Sequence, residues 1–154
     1  LHVRSRRQRQ MCIRDSGNPR RMTNGIDVNR VLLLIAVLEK RARMNLSNSD
    51  IYVNVAGGLR IDETAVDLGI CAAIATSQAD IPLPPDMIFI GEVGLGGELR
   101  GVSQLEKRIN EAAKLGFKSA IVPKQSLRGV KIPDGFAAYG IKTISEMINM
   151  LRRK

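Results

Sequence analysis

An α/β domain with a mixed sheet flanked by helices is the architecture this 154-residue sequence predicts. Three observations lead to it. Period-two stretches such as "IYVNV" at 51–55 alternate along the chain with amphipathic helical stretches such as "VLLLIAVLEKR" at 31–41. Two tetrads, "SQLE" at 103–106 and "TISE" at 143–146, have the form of capping boxes that open helices. Hydrophobic residues make up 44% of the chain and aromatics only 3%, so one domain of this length must close around an aliphatic core.

The elements follow in order. Residues 17–27, "GNPRRMTNGID", consist of turn formers and predict a flexible loop. Asp27 then caps a helix to about Met44, with Val31, Leu34, Ile35 and Leu38 on its buried side. A strand is expected at 50–56, followed by a glycine pair and a helix over about 64–78 with Asp62 as its cap. Gly69, Ala72, Ala73 and Ala75 keep that helix slim, so neighbouring backbone can approach it. "IPLPP" at 81–85 is a stiff linker, and "MIFIGEV" at 87–93 a strand. "GLGG" at 94–97 is a turn leading into a returning strand, "ELRGV", at 98–102. The "SQLE" box starts a helix ending near Gly116. "SAIVP" at 119–123 is a short buried strand, 135–141 holds one more, and "TISE" opens the last helix.

Residues 1–16 read differently from the rest. They lack apolar periodicity, start without Met and carry five Arg against Asp15 alone. The string "MCIRDS" resembles translated sequencing-adapter read-through, so 1–16 is set apart as a non-native or disordered basic tail and 17–154 as the domain. A native basic arm is the other reading. Setting the tail apart removes His2 and Cys12, and with them any histidine catalysis or cysteine–histidine metal site. No apolar run approaches the roughly 18 residues that span a bilayer. The net charge of +9 sits at the ends, because residues 51–100 carry two basic and seven acidic groups while 101–151 carry eight basic and four acidic. Such a polarised chain is compatible with polyanion binding without demanding it.

Two stretches suggest chemistry. "GLGGELRG" at 94–101 is glycine-rich, yet lacks the Lys and hydroxyl of a phosphate loop and the spacing of a dinucleotide loop, so a hairpin turn is expected. At the head of the 64–78 helix, Asp62 and Glu63 are followed one turn on by Asp67. A carboxylate on so apolar a helix needs a partner. Arg60, Arg100 or a subunit interface are the expected sources. Cys71 reads as a small core residue.

Four segments, "NPRRMTNGIDVNRVLLLIAVLEKR", "YVNVAGGLRIDETAVDLGICAAIATS", "PLPPDMIFIGEVGLGGELRGV" and "QLEKRINEAAKLGFKSAIVP", resemble in order the C-terminal Lon-protease-like domain of the bacterial RadA (Sms) family. The resemblance covers about residues 17–154 and implies a Lon-protease-like (ribosomal protein S5 domain 2-like) fold. Active Lon proteases use a Ser–Lys dyad. Laying the segments on that pattern puts Ala65 in the serine's place and Glu106 in the lysine's, leaving no catalytic residue. Thr64 with Lys107, each one position off, is the remaining peptidase alternative. The resemblance further implies a non-catalytic module of a DNA repair and recombination protein. That module self-associates, as a hexamer, and contacts single-stranded or branched DNA for an ATP-dependent branch-migration motor, in the bacterial cytoplasm at the nucleoid and with a recombinase among its partners. A purely structural ring-former is the other possibility. No cofactor is expected in this stretch; ATP, magnesium and zinc belong to the ATPase and zinc-finger domains of the family. Candidate DNA contacts are Arg20 and Arg21 beside Pro19, then Arg30, Lys107, Arg108 and Lys114.

Overall fold

The computed structural model describes residues 18–153, so the basic tail expected at 1–16 lies outside the described residues. The central element is a parallel sheet of β3 (Met87–Phe89), β6 (Ser119–Pro123) and β7 (Ala137–Ile141), in the order β3-β6-β7. Alternation along β6 sorts its side chains between two cores. Ile121 faces a core shared with helices α1 (Val28–Ala42), α2 (Asp67–Gln78) and α4 (Ile144–Arg152), while Ala120 and Val122 face helix α3 (Leu105–Lys114). β3 repeats the division, with Met87 and Phe89 on the first side and Ile88 on the second. The chain thus forms a helix–sheet–helix sandwich, an α/β fold as expected.

The smaller sheets attach to this body. β4 (Glu92–Val93) and β5 (Leu99–Arg100) make the expected antiparallel hairpin, closed by Gly94 N–H to Glu98 O at 2.9 Å and Gly97 N–H to Gly94 O at 2.9 Å. Gly97 has φ +81, and an added Cβ would lie 2.9 Å from Cβ of Arg41, so the turn needs glycine there. The hairpin joins the main sheet past the end of β7, through Leu99 N–H to Lys142 O and Ile144 N–H to Gly97 O, each 2.8 Å. This antiparallel join makes the assembly mixed.

The other small sheet departs from expectation. Residues Arg21–Asn24 form β1, which runs parallel to β2 (Ile51–Asn54) in the register Arg21↔Ile51 to Asn24↔Asn54. "RMTN" has no apolar alternation and reads as turn, but β2 supplies a ladder that overrides local preference. The flexible loop expected to carry Arg21 is therefore corrected to a strand.

Helix ends are also informative. Asp27 caps α1 by accepting the Asn29 N–H at 3.3 Å, and Arg43, with φ 53, ends it at Ala42, just short of the expected Met44. Thr143 caps α4, accepting the Glu146 N–H at 3.2 Å, and Glu146 returns a carboxylate to the Lys142 N–H at 2.9 Å. The "SQLE" box does not form. Gln104 precedes α3 in the left-handed region, φ 56, which places Ser103 outside the capping position. Asp62 is likewise no cap: a 3-10 turn over Thr64–Val66 leads into α2, and Asp62 pairs with Arg60 in solvent.

Candidate functional site at the head of helix α2

Residues 64–68 are stitched to the β3–β4 connection by backbone alone. Gly91 donates its N–H to Ala65 O at 2.9 Å and accepts the Leu68 N–H at 3.0 Å. Gly91 is buried, and a Cβ there would lie 3.3–3.5 Å from Pro123 and Leu68, so the small residue permits this close approach. The exchange pins Ala65, whose methyl is turned into the core shared with α3.

Beneath it lies Asp67, fully buried. Its Oδ1 accepts from Arg30 Nε at 2.9 Å, and its Oδ2 accepts from Arg30 Nη2 and from the Val93 N–H, the last at 3.1 Å. Arg30 also reaches Val93 O at 3.4 Å. The hydrogen bond to Asp67 raises the guanidinium's pKa above its ordinary value, against opposing burial. The partner expected from Arg60 or Arg100 is thus corrected to Arg30, an assignment that spacing within α2 could not give because Arg30 sits on α1. Cys71, one turn further on, is fully buried; burial first, and the Asp67 carboxylate second, push its thiol pKa up.

The outer rim is a network of charges. Thr64 Oγ1 donates to Glu92 Oε2 at 2.8 Å, Arg100 Nη1 reaches Glu92 Oε1 at 3.4 Å, and Arg100 holds Glu98 at 3.0 Å. Arg108 on α3 pairs with Glu63 and donates from Nε to Ser103 O at 2.9 Å. The nearest hydroxyl therefore answers to a carboxylate. Glu106 accepts the Lys131 N–H at 3.2 Å rather than capping α3. Lys107 is exposed and its charge acts on Glu111, one helical turn along.

The six candidate DNA contacts separate here. Arg21 donates to three backbone carbonyls, of Arg20 at 3.2 Å, Leu46 at 2.8 Å and Ser49. Arg30 serves Asp67, Arg108 serves Glu63, and Lys114 pairs with Glu111 at 2.8 Å. Arg20 is exposed, its backbone N–H bound to Asp50 Oδ1 at 2.7 Å. The structure does not gather the six into one patch by any contact between them other than the Arg21–Arg20 carbonyl bond. Glu92 and Arg100 were not singled out from the sequence as rim partners of Thr64. Their only signal is the hairpin, which carries both residues on paired positions, Glu92↔Arg100.

Relatives share this sequence over most of its length. The DNA repair protein RadA of Halalkalibacterium halodurans is 52% identical over 134 residues, covering 87% of this chain. That of Bacillus subtilis is 53% identical over 132 residues and that of Streptococcus pyogenes serotype M1 49% over 133, each covering 86%. Residues 29–126 match the family described as subunit ChlI of Mg-chelatase. The chain belongs to the RadA family and carries its ChlI-type, Lon-protease-like domain. It spans 29% of the length of these RadA relatives.

Gly94–Gly97 is a hairpin turn with no helix N-terminus behind it, so it cannot cradle a nucleotide phosphate as a phosphate loop does. No cluster of three or more His, Cys, Asp or Glu able to hold a metal occurs among the described residues. No helix among them is long and apolar enough to cross a membrane.

Proposed function

We propose that this domain is a non-catalytic module of a DNA repair protein, contributing self-association and backbone contact with single-stranded or branched DNA. The observation that carries the reading is the state of the two positions a Ser–Lys dyad would need. Ala65 presents a methyl, and Glu106 presents an acceptor already engaged by the Lys131 N–H. A methyl cannot attack, so whatever stands at the second position has no serine nucleophile to activate. The parent protein would supply ATP, magnesium and zinc chemistry from its other domains, work as a hexameric branch-migration motor alongside a recombinase, and act at the nucleoid in the bacterial cytoplasm.

DNA contact rests on cations free to leave the fold. Arg20 and Lys107 fit that condition better than Arg21, Arg30, Arg108 and Lys114, whose charges hold internal partners. With only 3% aromatic residues to stack bases, binding is expected to be sequence-independent and steeply weakened by salt. The test is fluorescence anisotropy with labelled single-stranded DNA over a salt series. Arg20→Ala with Lys107→Ala lowers affinity and flattens the salt slope by roughly one to two units; an unchanged slope removes both residues from the interface.

The peptidase alternative, Thr64 with Lys107, has the threonine hydroxyl donating to Glu92, and proteolysis of an unfolded substrate that vanishes in Thr64→Ala would revive it.

A further inference from the structure

Two pairs of Asn or Asp followed by Gly lie within the described residues, Asn24–Gly25 and Asp134–Gly135. In such a pair the glycine nitrogen, unshielded by a Cβ, can close a five-membered ring on the preceding side chain. Closure requires the peptide between the two residues to rotate, so the fold decides which pair reacts.

Asn24–Gly25 is clamped. Asn24 is the last residue of β1, and its C=O accepts the Val55 N–H at 2.9 Å. The Gly25 C=O accepts the Ile61 N–H at 2.8 Å, and a Cβ on Gly25 would lie 2.3 Å from Leu59 O. Turning this peptide breaks a ladder bond in a crowded place.

Asp134–Gly135 is open. The two are the central residues of a turn closed by the Phe136 N–H on Pro133 O at 3.1 Å, with Gly135 at φ +76. A turn of that form bonds across its ends and leaves its central peptide out. Among the described residues neither the Asp134 C=O nor the Gly135 N–H has a hydrogen-bond partner, and the Asp134 carboxyl has none either. Both residues are exposed, and a Cβ on Gly135 would meet nothing within 4 Å. The central peptide can flip while Phe136 stays buried in the α3 core.

We propose that Asp134 is a site of self-modification, where the folded chain converts aspartate to isoaspartate. The Gly135 nitrogen attacks Cγ of the protonated Asp134 carboxyl. The N–Cγ bond forms, the Cγ–OH bond breaks, and the amide proton leaves with the hydroxyl as water. Water then opens the succinimide at either carbonyl. Addition at Cγ restores aspartate. Addition at the former main-chain carbonyl leaves the chain running through Cβ and Cγ, with a free α-carboxylate. Nothing is oxidised or reduced, and the mass is unchanged. One methylene enters the main chain at an exposed turn tip, where such an insertion is tolerated. The chemistry depends neither on DNA contact nor on self-association.

Prolonged incubation of the 154-residue chain at physiological temperature tests it, in buffer and in unfolding urea, with circular dichroism showing that the buffer sample stays folded. Peptide mapping by mass spectrometry follows, using a protease that cuts before aspartate and spares isoaspartate. In buffer, isoaspartate forms at residue 134 at a rate within about threefold of that in urea, because the turn tip has nothing to unfold. Asn24 deamidates in urea and at least about tenfold more slowly in buffer, because it waits on opening of the β1–β2 ladder. Asp134→Glu, whose ring would be six-membered, abolishes the signal at 134. Isoaspartate at 134 confined to urea, or absent from both samples, overturns the proposal. So does a signal that persists in Asp134→Glu, or an Asn24 that reacts equally fast in both.

Discussion

Arg30 and Asp67, 37 residues apart in sequence, form a two-pronged ion pair beneath the head of α2 that also binds the Val93 N–H and C=O. Three elements, α1, α2 and β4, meet at this point. Asp67→Ala strips the guanidinium of its buried acceptor and orphans the Val93 N–H. Because Arg30 keeps 28% of its side chain exposed, solvent takes up part of the loss, and destabilisation of about 2–3 kcal/mol is expected in urea unfolding. Arg30→Met with Asp67→Leu recovers only part of it, since an apolar pair avoids the desolvation of two charges but still leaves the Val93 N–H without its acceptor.

The Cys71 thiol is expected to resist alkylation in the folded chain. It is wholly buried and its pKa is pushed upward, so little thiolate forms at neutral pH. In a Cys12→Ser background, iodoacetamide labelling followed by mass spectrometry gives modification only at denaturant concentrations that unfold the domain. Prompt labelling in buffer would show that α2 opens locally.

The two capping tetrads give opposite results on truncation. Thr143→Ala costs about 1 kcal/mol, because its hydroxyl holds the Glu146 N–H. Ser103→Ala costs less than about 0.5 kcal/mol, as expected of a surface side chain that caps nothing. Gln104→Gly is stabilising by up to about 1 kcal/mol, since the left-handed φ of 56 suits glycine. Thermal melts of the three variants check the set.

Glu98 folds its carboxylate back over the hairpin turn. Its pKa is lowered, chiefly by its own backbone N–H and further by Arg100. A depressed carboxylate pKa means the stabilising contribution is present above the unfolded-state value and is lost as pH falls through the folded one. A carboxyl 13C titration places Glu98 below an ordinary glutamate. Arg100→Ala brings it only part of the way back, because the main-chain donor remains.

How much of this was legible beforehand depended on whether the signal was local. The helix from Asp27, the hairpin at 92–100, β6 and the Thr143 cap each declare themselves within a few residues, through apolar period, glycine spacing or a hydroxyl at the right offset. β1 did not, because "RMTN" becomes a strand only against β2, 30 residues on. The partner of Asp67 was hidden for the same reason. The "SQLE" tetrad failed in another way: its composition is right, but Gln104 adopts a backbone conformation that composition does not report. At the site, the absence of a serine at Ala65 could be read directly, whereas the rim of Glu92, Arg100, Glu63 and Arg108 exists only once the hairpin and α3 are folded against α2.

The stitching of Gly91 to residues 65–68 has an electrostatic consequence. A helix start ordinarily offers a cluster of bare amide protons, a natural seat for an oxyanion or a phosphate. Here the Val66, Asp67 and Leu68 amides already give their protons to Glu63, Thr64 and Gly91 carbonyls, and the mouth is ringed by the carboxylates of Glu63 and Glu92. A phosphate or other oxyanion therefore finds no unpaired amide proton at this helix start.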